Sequence, residues 1–261
     1  MHAHSDQAAG LRRLFRRTPP AVFALFATGR SPLKTAARAV RSLTEGGRRV
    51  VVLEEHGEAT GSLFGSFGTD GGADLLATLE RGLDPADTLR EAADGLWLVR
   101  AAATAQAVPW LDAGHLSRLE SAIGELQRRA DLLAVHAAGD GAGLTPFAHA
   151  AARRLLVVEA SGVGARGACQ WIKGLAAAGA GSLEVAVSGA RDRADATALF
   201  ASLSDYTARH VGLPLVWRGE LERDGLAEAM STPLGARHPA EGVQAFVRRL
   251  RAWSAQASAA G

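Results

Sequence analysis

Residues 21–43 read AVFALFATGRSPLKTAARAVRSL, and the fold turns on how this stretch divides. The opening AVFALFA (21–27) is a nearly continuous apolar run, the pattern of a strand covered on both faces. The closing part, from Ala36 onward, reads as a helix. Between them lies ATGRSPLKT (27–35), which ends in Lys34-Thr35. Strand, loop ending in Lys-Thr, then helix is the order of a phosphate-binding loop. In such a loop glycines let backbone N–H groups wrap the phosphates, Lys reaches the β/γ oxygens and Ser/Thr holds Mg²⁺. Here the two required glycine positions hold Thr28 and Leu33. Pro32 removes an N–H donor from the middle of the cradle and fixes φ. The residue chemistry therefore predicts no productive nucleotide cradle.

The same strand pattern recurs in RRVVVLEE (48–55), GLWLVRAA (95–102), ADLLAVHAA (130–138), RLLVVEA (154–160), LEVAVSG (183–189) and LPLVWRGEL (213–221). Helical patterns lie between. HLSRLESAIGELQRRA puts Leu116, Leu119, Ile123 and Leu126 on one stripe, GACQWIKGLAAAG follows the fifth strand, and ADATALFASLSDYTARH follows the sixth. Alternation of this kind predicts an α/β fold with right-handed crossovers and a mainly parallel central sheet, helices on both faces. Ligands bind such sheets at the carboxyl ends of the strands, which places the loop at 27–35 at the expected site. With no internal repeat, residues 19–261 read as one domain including a C-terminal amphipathic helix. Residues 1–18 read as an appendage ended by TPP (18–20).

Composition narrows the classes. The chain has 261 residues, 48% hydrophobic and 21% charged, ordinary values for a globular protein with a full core. A net charge of +2 argues against a whole-chain nucleic-acid binder, and no nucleic-acid partner is expected. The arginines cluster near the ends, in LRRLFRR and VRRLRAW. One cysteine, Cys169, excludes an internal disulfide, and suits a reducing compartment. No apolar run spans a bilayer and no signal-peptide core precedes the domain, so a cytoplasmic location is expected.

The order of pieces in FALFATGRSPLKTAARAVRSLTEGGRRVVVLEE resembles the opening of the MinD/ParA class of deviant-Walker ATPases. There a KGGVGKT loop precedes a helix and a second strand ending in an acidic motif. DLLAVHAAGDGAGLTP and VVEASGVGARGACQWIKGL resemble later segments of that class. The N-terminal DQAAGLRRL (Asp6 to Leu14) resembles the DQAxxLR element of the FlhG family (also called FleN or YlxH), MinD-type regulators of flagellar number and placement. The resemblance covers roughly residues 6–253 and implies a P-loop NTPase-like fold. Its departures carry the mechanism. Aligned without gaps, the family's signature lysine falls on Gly29, with Arg30 beside it. The acidic pair after strand 2 becomes Glu54-Glu55, the switch aspartate falls at His136, and the asparagine near the base falls at Ser188. Lys34, Thr35, Arg30 and Glu54 are what remains of a degenerate nucleotide site. This reads as a pseudo-ATPase without intrinsic ATPase activity and without a cofactor, although the family is one of ATPases. The rival is an atypical ATPase using ATP and Mg²⁺ that switches between monomer and membrane-associated dimer. A second rival is an interaction scaffold on this fold, unrelated to flagella.

The resemblance puts function at the N-terminus. Ser5 can N-cap a short helix running to Phe15, with Ala8, Leu11 and Phe15 on one face and Arg12, Arg13, Arg16 and Arg17 flanking it. A helix this short is marginal alone and folds on a partner. By resemblance the partner is FlhF, a signal-recognition-particle-type GTPase whose hydrolysis the motif stimulates. Gln7 is then the candidate catalytic residue supplied in trans, since a Gln orients attacking water and a cation stabilises developing phosphoryl charge. Asp6, Ala8, Leu11, Arg12 and Arg13 complete the partner-binding set. Read from residues alone, the same stretch is a basic tail. Flagellar switch or C-ring components are further candidate partners.

The C-terminal PAEGVQAFVRRLRAW puts Val243, Phe246, Val247, Leu250 and Trp253 on a stripe opposite Arg248, Arg249 and Arg251. Such a stripe docks on the sheet or, as in relatives, contacts a membrane surface, which would place the protein peripherally at the inner membrane or cell pole. No metal site is expected. His2 and His4 lack a third ligand, and His115, His136, His149 and His210 have no ligand spacing. Cys169 is expected to be a small buried residue, and Trp97, Trp171 and Trp217 core residues.

Overall fold

A computed structural model describes residues 21–57, 61–138, 144–231 and 243–260. The strands are β1 (Ala21–Thr28), β2 (Val50–Glu54), β3 (Arg90–Ala93), β4 (Leu96–Arg100), β5 (Leu132–His136), β6 (Arg153–Glu159), β7 (Leu183–Ser188) and β8 (Leu215–Glu220). The helices are α1 (Pro32–Ser42), α2 (Leu63–Phe67), α3 (Leu76–Arg81), α4 (Ala102–Ala107), α5 (Ala113–Arg129), α6 (Pro146–Ala150), α7 (Gly162–Ala177), α8 (Arg193–His210), α9 (Leu226–Ser231) and α10 (Val243–Ala260).

Among the described residues the strands form one eight-stranded sheet in the order β3-β4-β2-β5-β1-β6-β7-β8. Every pairing is parallel except β3 with β4. This is the mainly parallel α/β sheet that the sequence predicts. The uninterrupted apolar runs have a simple cause. Successive side chains on a strand point to opposite faces, and here both faces are covered. Val22, Ala24 and Phe26 enter one core with Val51 and Leu53. Phe23 and Leu25 enter the other with Val50 and Val52. Every predicted strand is present. The addition is β3, whose REAA sequence pairs antiparallel with β4 at the sheet edge. Four residues, two of them charged, carry no apolar signal. Charge on an edge strand also discourages pairing with another chain.

Local signals set the helix starts. Pro32 stands in the first turn of α1, the one place where a missing N–H costs a helix nothing. Asp112, Ser161 and Asp192 cap α5, α7 and α8 by accepting the N–H of His115, Gly164 and Asp195, each such cap contributing about 1 kcal/mol.

α10 is docked. Phe246, Val247 and Leu250 are buried, the Phe246 ring lies 6.1 Å from that of Phe147, and Arg251 pairs with Glu120 at 3.2 Å. The apolar stripe is thus spent on the body. Trp171 is buried against Phe26, ring centroids 4.5 Å apart, while Trp97 and Trp217 are only half-buried. Cys169 is also half-buried rather than buried, and burial raises its thiol pKa. No described helix is long and apolar enough to cross a membrane. The N-terminal element, with Asp6, Gln7, Ala8, Leu11, Arg12 and Arg13, lies outside the described residues.

Candidate functional site

Because β1, β2, β5 and β6 run parallel, Thr28, Glu54, His136 and Glu159 arrive together at the carboxyl edge of the sheet. The loop that follows β1 lies there, as expected. Its head is already filled. Glu159 sits at the end of β6, and its Oε2 accepts the Arg30 N–H at 3.2 Å. Gly29 adopts φ 141°, and a Cβ there would lie 2.5 Å from the same carboxylate oxygen. Gly29 is therefore required by the close approach of Glu159. An anion held by the protein itself occupies an amide that a phosphate cradle would leave free.

The rest of the loop is equally committed. Thr28 Oγ1 donates to Gly164 O at 3.0 Å, tying β1 to α7. Thr35 is buried, and its hydroxyl donates to Ser31 O at 3.3 Å. Pro32 and Leu33 line a small recess with Gly61, Trp171, His56 and His136. Lys34 and Arg30 are exposed. Where the resemblance places the base, Ser188 is fully buried and donates to Glu222 Oε1 at 2.9 Å, with Arg38 Nη1 3.3 Å from its hydroxyl.

The densest chemistry is at the ends of β2 and β5. Glu54 and His136 are register partners on neighbouring strands, which puts the two side chains in contact. Glu54 is fully buried, and His136 Nδ1 lies 2.9 and 3.1 Å from its two oxygens. Oε1 also accepts the His56 N–H at 3.1 Å, and Oε2 the Leu63 N–H at 2.9 Å. Burial alone would push the Glu54 carboxyl up, but the charge His136 can carry and these hydrogen bonds together hold it below the usual range. His56 stacks on His136, centroids 4.6 Å apart and planes at 28°. Its Nε2 is 3.1 Å from Ala137 O. A carbonyl only accepts, so Nε2 carries the proton and Nδ1 of the neutral ring keeps its lone pair. Burial, and then the like charge of His136, lower the His56 pKa.

Glu55 faces the other way. It accepts hydrogen bonds from the Thr145 hydroxyl and, at 3.2 Å, from the Phe147 N–H. Burial drives its pKa up to about 8, with a further rise from Glu54 that the hydrogen bonds only partly oppose.

A nucleoside triphosphate with Mg²⁺ does not fit these residues. Glu159 repels phosphate at the loop head, Pro32 offers no amide, and the Thr35 hydroxyl is turned inward. Of the four nucleotide-site residues read from sequence, only Glu54 lies in the buried cluster. Arg30 and Lys34 face solvent and Thr35 packs into its own helix turn. Two residues of the site had no sequence signal strong enough to find them. His56 stands two places after Glu54 in EEH, and Glu159 ends a strand whose neighbour only the topology reveals.

No protein-family model and no curated protein matches the chain. Solved structures do. Cobyrinic acid a,c-diamide synthase from Mycobacterium smegmatis, with bound ADP and magnesium, is 18% identical with a TM-score of 0.54, over 81% of this chain and 91% of that one. The MinD cell division protein of Aquifex aeolicus is 17% identical with a TM-score of 0.49, over 90% and 97%. The ParA family ATPase from Chlorobium tepidum is 16% identical with a TM-score of 0.48, over 90% and 98%. At these identities the likeness is one of architecture alone, and the chain shares the mainly parallel, helix-covered α/β fold of the cobyrinic acid a,c-diamide synthase.

Proposed function

We propose that the protein is a non-hydrolysing regulator on a MinD/ParA-type fold, an FlhG-like protein that binds an FlhF-type GTPase and stimulates its GTP hydrolysis through residues 6–17. The observation that carries the non-hydrolysing half is the Glu159 carboxylate on the Arg30 amide. With the cradle's head occupied from within, the body serves as a scaffold. The regulatory half is supported by the resemblance of DQAAGLRRL to the DQAxxLR element.

The division of labour follows from the residue types. Leu11 anchors the segment, an apolar contact contributing roughly 1.5–3 kcal/mol when fully buried. Arg12 and Arg13 steer it by charge, an effect that salt weakens. Gln7 orients the attacking water, held by Asp6. The test is the GTPase rate of FlhF with the full chain, with Gln7→Ala, and with a peptide of residues 1–20. The full chain and the peptide are expected to raise the rate, and Gln7→Ala to remove most of the rise while leaving binding. An inert peptide, together with full activity after deletion of residues 1–18, would return the segment to a plain basic tail.

A further inference from the structure

The cluster at the ends of β2 and β5 has an arrangement that a purely structural ion pair does not need. One donor atom each from Glu54, His56 and His136 lies within 4.8 Å of the others. We propose that these three residues form a divalent transition-metal site of the Zn²⁺ class, with its fourth position open to the recess beside them.

The donor set selects the metal. Two imidazoles and one carboxylate suit Zn²⁺, Co²⁺ or Ni²⁺ and do not suit Mg²⁺ or Ca²⁺, which take oxygen ligands. Three protein ligands with one open position is the pattern of an accessible zinc site. Here the open position has somewhere to face, because His56 and His136 both line the recess together with Pro32, Leu33 and Trp171. The surroundings hold the ligands as metal ligands are held. Ala137 O fixes the His56 ring through Nε2 and leaves Nδ1 to bind. The His56 and Leu63 N–H groups hold the Glu54 carboxylate from behind.

The change needed on binding is small. Tetrahedral bonds of about 2.0–2.1 Å place ligand atoms roughly 3.3 Å apart, so from a span of 4.8 Å the cluster closes by at most about 1.5 Å, while the Glu54–His136 pair opens slightly from 2.9 Å. His56 supplies that movement. It lies beyond the end of β2 and is only half-buried, while Glu54 and His136 are fixed on paired strands. The metal takes the place now held by the hydrogen bond between Glu54 and His136. None of this depends on the GTPase reading.

The experiment uses the full chain, stripped with a chelator, in a His2→Ala/His4→Ala background that removes the tail histidines. Zn²⁺ is titrated by calorimetry, and Co²⁺ by its visible absorption. Expected are one Zn²⁺ per chain, binding at micromolar concentration or tighter, a Co²⁺ band of tetrahedral intensity, and indifference to millimolar Mg²⁺. His56→Ala should weaken binding by more than tenfold, since even outer-shell losses reach about 10–100-fold. Glu54→Gln, which keeps the side chain's shape, should do the same if His56→Ala folds poorly. His210→Ala, on the exposed end of α8, should change nothing. Absence of binding at 100 µM Zn²⁺ (about −5.5 kcal/mol), or binding that survives both His56→Ala and Glu54→Gln, overturns the proposal.

Discussion

Among the described residues, a buried ionic cluster lies in each half of the sheet. At the ends of β2 and β5, Glu54 meets His136 and His56. On β6, β7 and β8, Glu184 meets Arg153 through two hydrogen bonds of 2.8 and 2.7 Å, and Arg218 Nε at 2.6 Å. Arg153 further donates to Met230 O on α9. The second cluster sets two guanidinium groups against one carboxylate, in fork geometry. The first sets two imidazoles, a common metal-ligand type, around one carboxylate, and it borders a recess. The contrast separates a cluster that holds the fold from one that can bind and release.

The largest effect should come from the second cluster. Glu184→Ala leaves two guanidinium groups buried without a counter-charge, and removing one partner of a buried pair costs about 3–5 kcal/mol. Denaturant unfolding should show that loss, and a change under 1 kcal/mol would mean that water already reaches Arg153. Next in size is the pH response of Glu55. Its folded pKa, about 8, lies above its unfolded value, so the native state binds more protons between the two and stability falls as pH rises through that window. Glu55→Gln should therefore stabilise the protein by a few kcal/mol at pH 8 and leave it nearly unchanged near pH 4.5. Equal effects at both values would break the sign of this argument. In metal-free protein His56→Ala should be milder, about 0.5–1.5 kcal/mol for the lost ring stacking, measured by the thermal midpoint. The smallest effect belongs to Lys34→Ala. The side chain is exposed, and a surface change of this kind stays within about 0.5 kcal/mol.

How much of this was legible in the sequence follows the same division. The strands declared themselves because both faces are buried, so Phe23 and Leu25 needed to be apolar as much as Ala24 and Phe26 did. The loop's disabling residues, Pro32 and Leu33, were visible by position. The agents that close it were not. Glu159 reaches Gly29 only because β6 pairs with β1, and Glu54 reaches His136 only because β5 lies between β2 and β1. Contacts across 129 and 82 positions leave no local pattern, which is why His136 read as a lone histidine without ligand spacing. Edge strand β3 was silent for a different reason, since an edge needs little apolar surface.

The most direct test of the occupied cradle is calorimetric titration of the purified full chain with ATP and Mg²⁺. With Glu159 on the Arg30 amide and Thr35 turned inward, no saturable binding is expected at concentrations up to 100 µM. A dissociation constant below 100 µM, about −5.5 kcal/mol or tighter, that depends on Mg²⁺ and disappears with Lys34→Ala would contradict it.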